Sequence, residues 1–194
     1  SRDAIVDCAL HLMDRKGHDA LSFRAVAREL GIAAGALSNY FPNLADLQDH
    51  VAAKVISGMR PLELRNKSEL RKPLVQFGME LMELTHEHPY LANIYGPEST
   101  AEVARMMARS IKALMDAGLD AERALAAFSI VTSLASAWGV RDAVPRDPKV
   151  QAHAIEVTRK EFGELSAIMP KLGEMTPTRL YRQWFLLSLE GLLP

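Results

Sequence analysis

Between Ser22 and Leu47 the chain reads SFRAVARELGIAAGALSNYFPNLADL, and its most informative chemistry lies here. On a helical wheel Leu37 and Phe41 fall within about 40° of each other, with Ala34 about 60° from Leu37. Gly35 and Asn39 lie almost opposite, flanked by Ala36 and Ser38. A helix whose outward face carries only Gly, Ala, Ser and Asn is slim and uncharged, so its backbone can approach another surface closely. Two short helices joined by a turn at Gly31 both offer apolar residues to a first helix. That is the helix-turn-helix layout, whose second helix enters the DNA major groove.

Metal and catalytic chemistry find little support. Glu83-x-x-His86 has the spacing of helical di-iron ligands, but such sites need a second motif and further carboxylates. His86-x-His88 points its rings to different sides of a helix. The single cysteine, Cys8, sits in an apolar pattern that suits a small buried hydrophobe, and one thiol supports neither an intrachain disulfide nor a thiolate zinc cluster. There is no Gly-rich phosphate loop, nucleophile elbow or paired-carboxylate arrangement. The expectation is no enzyme, no metal and no cofactor.

The elements that position this stretch are helical throughout. Ala4-Ile5, Cys8-Ala9 and Leu12-Met13 mark an amphipathic helix that Gly17 stops. Ser22 is placed to cap a second helix running to about Leu30. A third runs from about Ala33 to Phe41, and Asn43 caps a fourth with Leu47, Val51 and Val55 on one face. Pro73 suits the first turn of a helix that reaches about Glu87. A short piece around Tyr90–Tyr95 precedes Ser99-Thr100-Ala101-Glu102, which reads as a capping box for a helix to Ala117. Asp120 caps an apolar segment from Ala121 to Val140. Helices over roughly Lys149–Ile168 and from Pro177 onward follow, giving nine or ten helices and an all-α fold class.

Composition bounds the function. The chain has 194 residues, with 23 Lys or Arg against 24 Asp or Glu, for a net charge of −1. This excludes a protein that coats nucleic acid by bulk charge. With 48% hydrophobic and 24% charged residues, global disorder is excluded too. No apolar stretch is expected to reach the roughly 20 residues that span a bilayer, so the default expectation is a cytoplasmic protein without a membrane partner.

Residues 4 to 51 resemble the DNA-binding domain of the TetR family of bacterial transcriptional regulators. The matching pattern is Leu21-Ser22-x-Arg24-x-Val26-Ala27, Leu30-Gly31-Ile32, Gly35-Ala36-Leu37 and Tyr40-Phe41-Pro42 leading into Leu47, after an apolar first helix. The resemblance implies a helix-turn-helix domain over residues 1–50 and a helical ligand-binding and dimerisation domain over 51–194. It implies that Ser22 and Arg24 contact phosphates or reach a base, that Ala34, Gly35, Ala36, Ser38 and Asn39 face base edges, and that Tyr40 bonds a phosphate. The chemistry is compatible: Asn pairs bidentately with adenine, a methyl meets the thymine methyl, and hydroxyls suit phosphate oxygens. Two positions depart from the family pattern, Ala33 where a capping Ser or Thr is usual and Leu44 where a phosphate-binding Lys is common. Over residues 1–50, five Lys or Arg face seven Asp or Glu, a net −2. A basic N-terminal arm upstream of Ser1 could supply the missing charge.

The resemblance also implies a homodimer, a small-molecule inducer and, through two-fold symmetry, a pseudo-palindromic double-stranded operator. Helices apolar all round are buried on every side, in a core or against a partner. Ala121–Val140, with Phe128 and Leu134, and the last helix, with Leu180, Trp184 and Leu187, have that character. For the inducer, Phe77, Met82, His86, Tyr90, Tyr95, Met106 and Met107 are the candidate lining, a Met and aromatic set that equally suits plain core. The reading is a ligand-responsive regulator, in first place a repressor. The alternative is a helical small-molecule-binding protein with a vestigial helix-turn-helix.

Overall fold

The computed structural model describes residues 1–64, 69–92, 94, 96–143, 149, 152, 153, 156, 157, 160, 177–190 and 193. Ser1 caps α1 (Arg2–Lys16), its hydroxyl accepting from the Ala4 amide at 3.2 Å. Ser22 does the same for α2 (Phe23–Leu30), accepting from Ala25 N at 3.2 Å. Gly31, at φ 66°, takes the left-handed conformation that ends α2 and turns the chain.

The expected α-helix from Ala33 to Phe41 is instead a 3-10 helix, Ala34–Asn39. Its bonds run from Ala36 N to Ala33 O at 3.0 Å and from Tyr40 N to Leu37 O at 2.9 Å. The physical reason is at its ends. Ala33 is extended and gives no side-chain cap, and Pro42 forbids continuation, so a short tight segment is all the sequence supports. Leu37 and Phe41 are nonetheless fully buried, as the wheel requires. Asn43 then caps α3 (Leu44–Gly58), accepting from Asp46 N at 2.9 Å, with Leu47, Val51 and Val55 on the buried face.

The second half comprises α4 (Arg71–Glu87), a 3-10 turn Pro89–Ala92, α5 (Pro97–Asp116), α6 (Ala121–Ala143) and α7 (Pro177–Leu189). Asp120 caps α6 as expected, accepting from Arg123 N at 2.9 Å. The expected capping box at Ser99 is displaced. The helix starts at Pro97, with Gly96 as the cap residue, and the Ser99 hydroxyl reaches back to accept from Gly96 N at 3.1 Å. Glu102 pairs with Arg105 instead. The helix expected over Lys149–Ile168 falls largely outside the described residues.

Two apolar cores form among the described residues. One joins α1, α2, the 3-10 helix and α3 through Ile5, Leu12, Val26, Leu37, Phe41, Leu47 and Val51. The other joins α4 to α7 through Leu74, Phe77, Phe128, Val131, Tyr181 and Phe185. Gly139 permits the close α4–α6 crossing, since a Cβ there would meet the Met82 carbonyl oxygen at 2.5 Å and Thr85 Cβ at 2.8 Å. Ala121–Val140, 20 residues at mean hydropathy 1.3, is long and apolar enough to cross a membrane, contrary to the sequence expectation. Ala124, Ala127, Phe128, Val131, Ala135 and Trp138 are buried within the second core, which is the packing of a core helix.

Candidate nucleic-acid interface and ligand cavity

Burying Leu37 and Phe41 turns the other side of the 3-10 helix outward. Ala34, Gly35, Ser38, Asn39 and Tyr40 are exposed, and Ala36 is half-buried. Gly35 has no positive φ, and a Cβ built on it meets nothing within 4 Å. Nothing inside the chain therefore calls for glycine at this position. Ser22 is half-buried and its oxygen serves the α2 cap, which leaves its O–H free to donate outward. Arg24 is exposed on α2, and Arg28, one turn on, is exposed on the same stripe. Neither has an ion-pair partner among the described residues. Arg28 escaped the sequence reading, although its i+4 spacing from Arg24 was the available signal.

Four of the seven carboxylates in this net −2 module have ion-pair partners besides His18. Asp7 pairs with Lys54, Asp14 with His88 at 3.0 Å, and Glu29 with Arg15 at 3.7 Å and Lys16 at 3.5 Å. Asp46 pairs with Arg2 at 3.5 Å, and the Arg2 guanidinium also lies 4.6 Å from the Phe41 ring centre. Burial first, then the charge of Glu29, pushes the Cys8 thiol up, away from the thiolate a nucleophile needs.

Asp49 is the one buried acid of residues 1–50, 4% exposed, and it reaches across to the start of α5. Its carboxylate accepts from Glu98 N at 2.9 Å, Ser99 N at 3.0 Å and the Ser99 hydroxyl at 2.5 Å, closing the N-terminus of α5. Burial alone would push the Asp49 carboxyl up. The Ser99 and Glu98 hydrogen bonds and the charge of His50 outweigh it and hold the group below its ordinary value. A second tie runs nearby. The Tyr90 ring joins the first core, its hydroxyl 3.0 Å from His88 Nδ1, and His18 stacks on it at 6.0 Å.

A cavity of about 620 Å³ lies between α3, α4, α5 and α6. Its wall holds Ile56 of α3 and Met59 just past its end, Val103, Met106 and Met107 of α5, and Phe128, Thr132, Ser133 and Ser136 of α6. Of the residues expected to line a pocket, Met106 and Met107 do so. Phe77 and Met82 are buried in the second core, with Phe77 against Phe128 at 5.8 Å. His86 is exposed on the outer face of α4, Tyr90 belongs to the other core, and Tyr95 lies outside the described residues. Phe128, expected at a subunit interface, is buried within the chain and forms cavity wall. The hydroxyls of α6 were hidden in a helix that reads as apolar all round.

Helix α7 buries Tyr181, Phe185 and Leu189 and leaves Trp184 (43% exposed) and Leu187 (56%) open one face away. The Trp184 ring contacts Trp138 of α6 edge-on at 5.2 Å, and Leu134 is half-buried. Leu180 lies in α7, its side chain outside what the structure describes. Among the described residues no group of three or more His, Cys, Asp or Glu could hold a metal.

Residues 5–51 match the family described as bacterial regulatory proteins, tetR family. An uncharacterised HTH-type transcriptional regulator of Mycobacterium tuberculosis is 31% identical over 135 residues, 64% of this chain and 62% of that protein. The HTH-type transcriptional repressor DrrR1 of Streptomyces coeruleorubidus is 32% identical over 97 residues, 47% of this chain and 34% of that protein. The chain thus spans less than two thirds of the length of either relative. Among solved structures, the TetR family protein ActR of Streptomyces coelicolor in complex with (S)-DNPA superposes with a TM-score of 0.80 at 20% identity, covering 99% of this chain and 96% of that one. At that identity the likeness is one of fold.

Proposed function

We propose that this chain, whose residues 5–51 belong to the tetR family of bacterial regulatory proteins, is a homodimeric repressor released from its operator by a small-molecule inducer. One observation carries the reading: α3 serves both halves of the molecule. Its Leu47 and Val51 sit in the core that holds the 3-10 helix, and its Ile56, with Met59 just past its end, forms cavity wall. Helix α5 supplies another wall, and Asp49 of α3 grips its N-terminus. A molecule that fills the cavity bears on α5 and on the end of α3 together. Differential affinity for two positions of α3 is all that induction needs.

The exposed face of Ala34, Gly35, Ser38 and Asn39 reads base edges, with Ala36 beside it. Ser22, Arg24, Arg28 and Tyr40 hold phosphates. The open face of α7, Trp184 and Leu187, pairs with its copy across a two-fold axis and sets the two reading helices on a pseudo-palindrome. Kinship with a protein named as a repressor, and the fold shared with ActR in its complexes with (S)-DNPA and actinorhodin, support repression and ligand response. The test is fluorescence anisotropy against DNA upstream of the chain's own coding sequence. Wild type binds with sequence preference at moderate salt, and Asn39→Ala and Tyr40→Phe each weaken it. A wild type with no preference overturns the regulator reading in favour of a plain ligand-binding protein.

A further inference from the structure

Resting on the regulator reading for its biological role, but argued from the cavity wall alone, we infer that the ligand is an uncharged, largely apolar molecule recognised through hydroxyl or carbonyl groups at one edge. The wall contains no Asp, Glu, Lys, Arg or His among the described residues. An ionic group carried in against this wall would shed water with nothing to compensate, so a ligand whose charge must enter the cavity is rejected. The volume, about 620 Å³, suits a ligand of several fused or linked rings. Met106, Met107 and Phe128 offer sulfur and ring contacts to such a body.

The polar side of the wall is a hydroxyl seam with divided roles. Thr132 donates to Phe128 O at 3.0 Å, and Thr85 donates to Leu81 O at 3.0 Å, so both protons are used and only lone pairs face a ligand. Ser133 and Ser136 line the same cavity with no hydrogen bond among the described residues. They can donate or accept. The seam therefore accepts from a ligand hydroxyl at the threonines and pairs with either a hydroxyl or a carbonyl at the serines. Val103 and Met107, left open at 44% and 39%, are the apolar surface that such a ligand covers.

The experiment uses the full chain and matched probes. N-phenyl-1-naphthylamine and its 8-sulfonate share one scaffold and differ by a charge. The neutral probe binds at least about 30-fold tighter, and comparable affinity for the sulfonate overturns the inference. Ala137→Trp fills the cavity and abolishes binding of the neutral probe; retained binding places the probe elsewhere and overturns it too. In competition against that probe, Ser133→Ala/Ser136→Ala lowers the affinity ratio of 4-phenylphenol to biphenyl by about 10-fold. An unchanged ratio removes the seam as the reader. Operator binding by ligand-free protein is measured separately. Its failure sinks the regulator reading and leaves the probe selectivity standing, and the reverse pattern sinks only this inference.

Discussion

Replacing Gly35 by alanine separates folding from recognition at one atom. Its Cβ would meet nothing within 4 Å, and the backbone there has no positive φ, so the folded chain accommodates the methyl without strain. The unfolded chain loses freedom, and the variant gains about 0.4–1 kcal/mol. For a chain of this size that raises the melting temperature by roughly 1–4 °C. On DNA the sign reverses. If Gly35 faces base edges at close approach, the methyl is an overpacking lesion costing about 1–3 kcal/mol per half-site, or roughly 5- to 150-fold. Thermal unfolding and anisotropy with the upstream DNA read the two effects on the same sample. A variant that melts at or above wild type and binds DNA with unchanged affinity refutes the placement of this face against the bases. A variant that melts well below wild type refutes the claim that the site is empty inside the chain.

Three further outcomes follow from particular contacts. Asp49→Asn leaves the α5 amides and the Ser99 hydroxyl short of acceptors and costs about 2–4 kcal/mol at neutral pH by denaturant unfolding. Because the folded carboxyl titrates below its ordinary value, its contribution is full above the unfolded pKa and fades as pH falls through the folded one. The two proteins therefore converge in stability in strong acid, and a constant gap at all pH contradicts the assignment. Gly139→Ala drives a methyl into the Met82 carbonyl and Thr85 and destabilises the chain by about 1–3 kcal/mol or more, seen as an earlier urea midpoint; an unchanged midpoint means the crossing is looser than described. Leu187→Glu keeps the helical circular dichroism spectrum and shifts the sedimentation coefficient to that of a monomer, whereas an unshifted dimer locates the interface away from α7.

Local rules carried the reading of the first fifty residues. Ser22, Gly31 and Asn43 are caps whose partners lie within a few residues, and Leu37 with Phe41 identifies the side that the chain buries. The 3-10 geometry stayed hidden because Phe41 lies beyond Asn39, where its amide bonds back to Leu37 O at 3.0 Å, an α-type step that keeps the spacing of four on the buried side. What stayed illegible depended on distant partners. Asp49 caps a helix some fifty residues further on, and no local pattern announces that. Phe77 and Met82 fall on an apolar stripe that the sequence cannot assign to core or cavity, because both want the same side chains. Thr132, Ser133 and Ser136 vanish into a high average hydropathy, although their positions relative to α4 and α5 make them the polar edge of the cavity.

The ties that Asp49 and Tyr90 make between the first fifty residues and the second half bear on how this architecture could be recombined. Residues 1–51 in isolation would carry a carboxylate shaped to receive the amides of Glu98 and Ser99, and a ring-sized vacancy where Tyr90 sits. A chimera that grafts them onto a relative's sensor half must bring along Gly96 to Ser99 and His88 to Tyr90, or recruit equivalents. On the regulator reading, repainting the surface of the 3-10 helix residue by residue would leave both ties intact, whereas swapping the module whole would have to rebuild them.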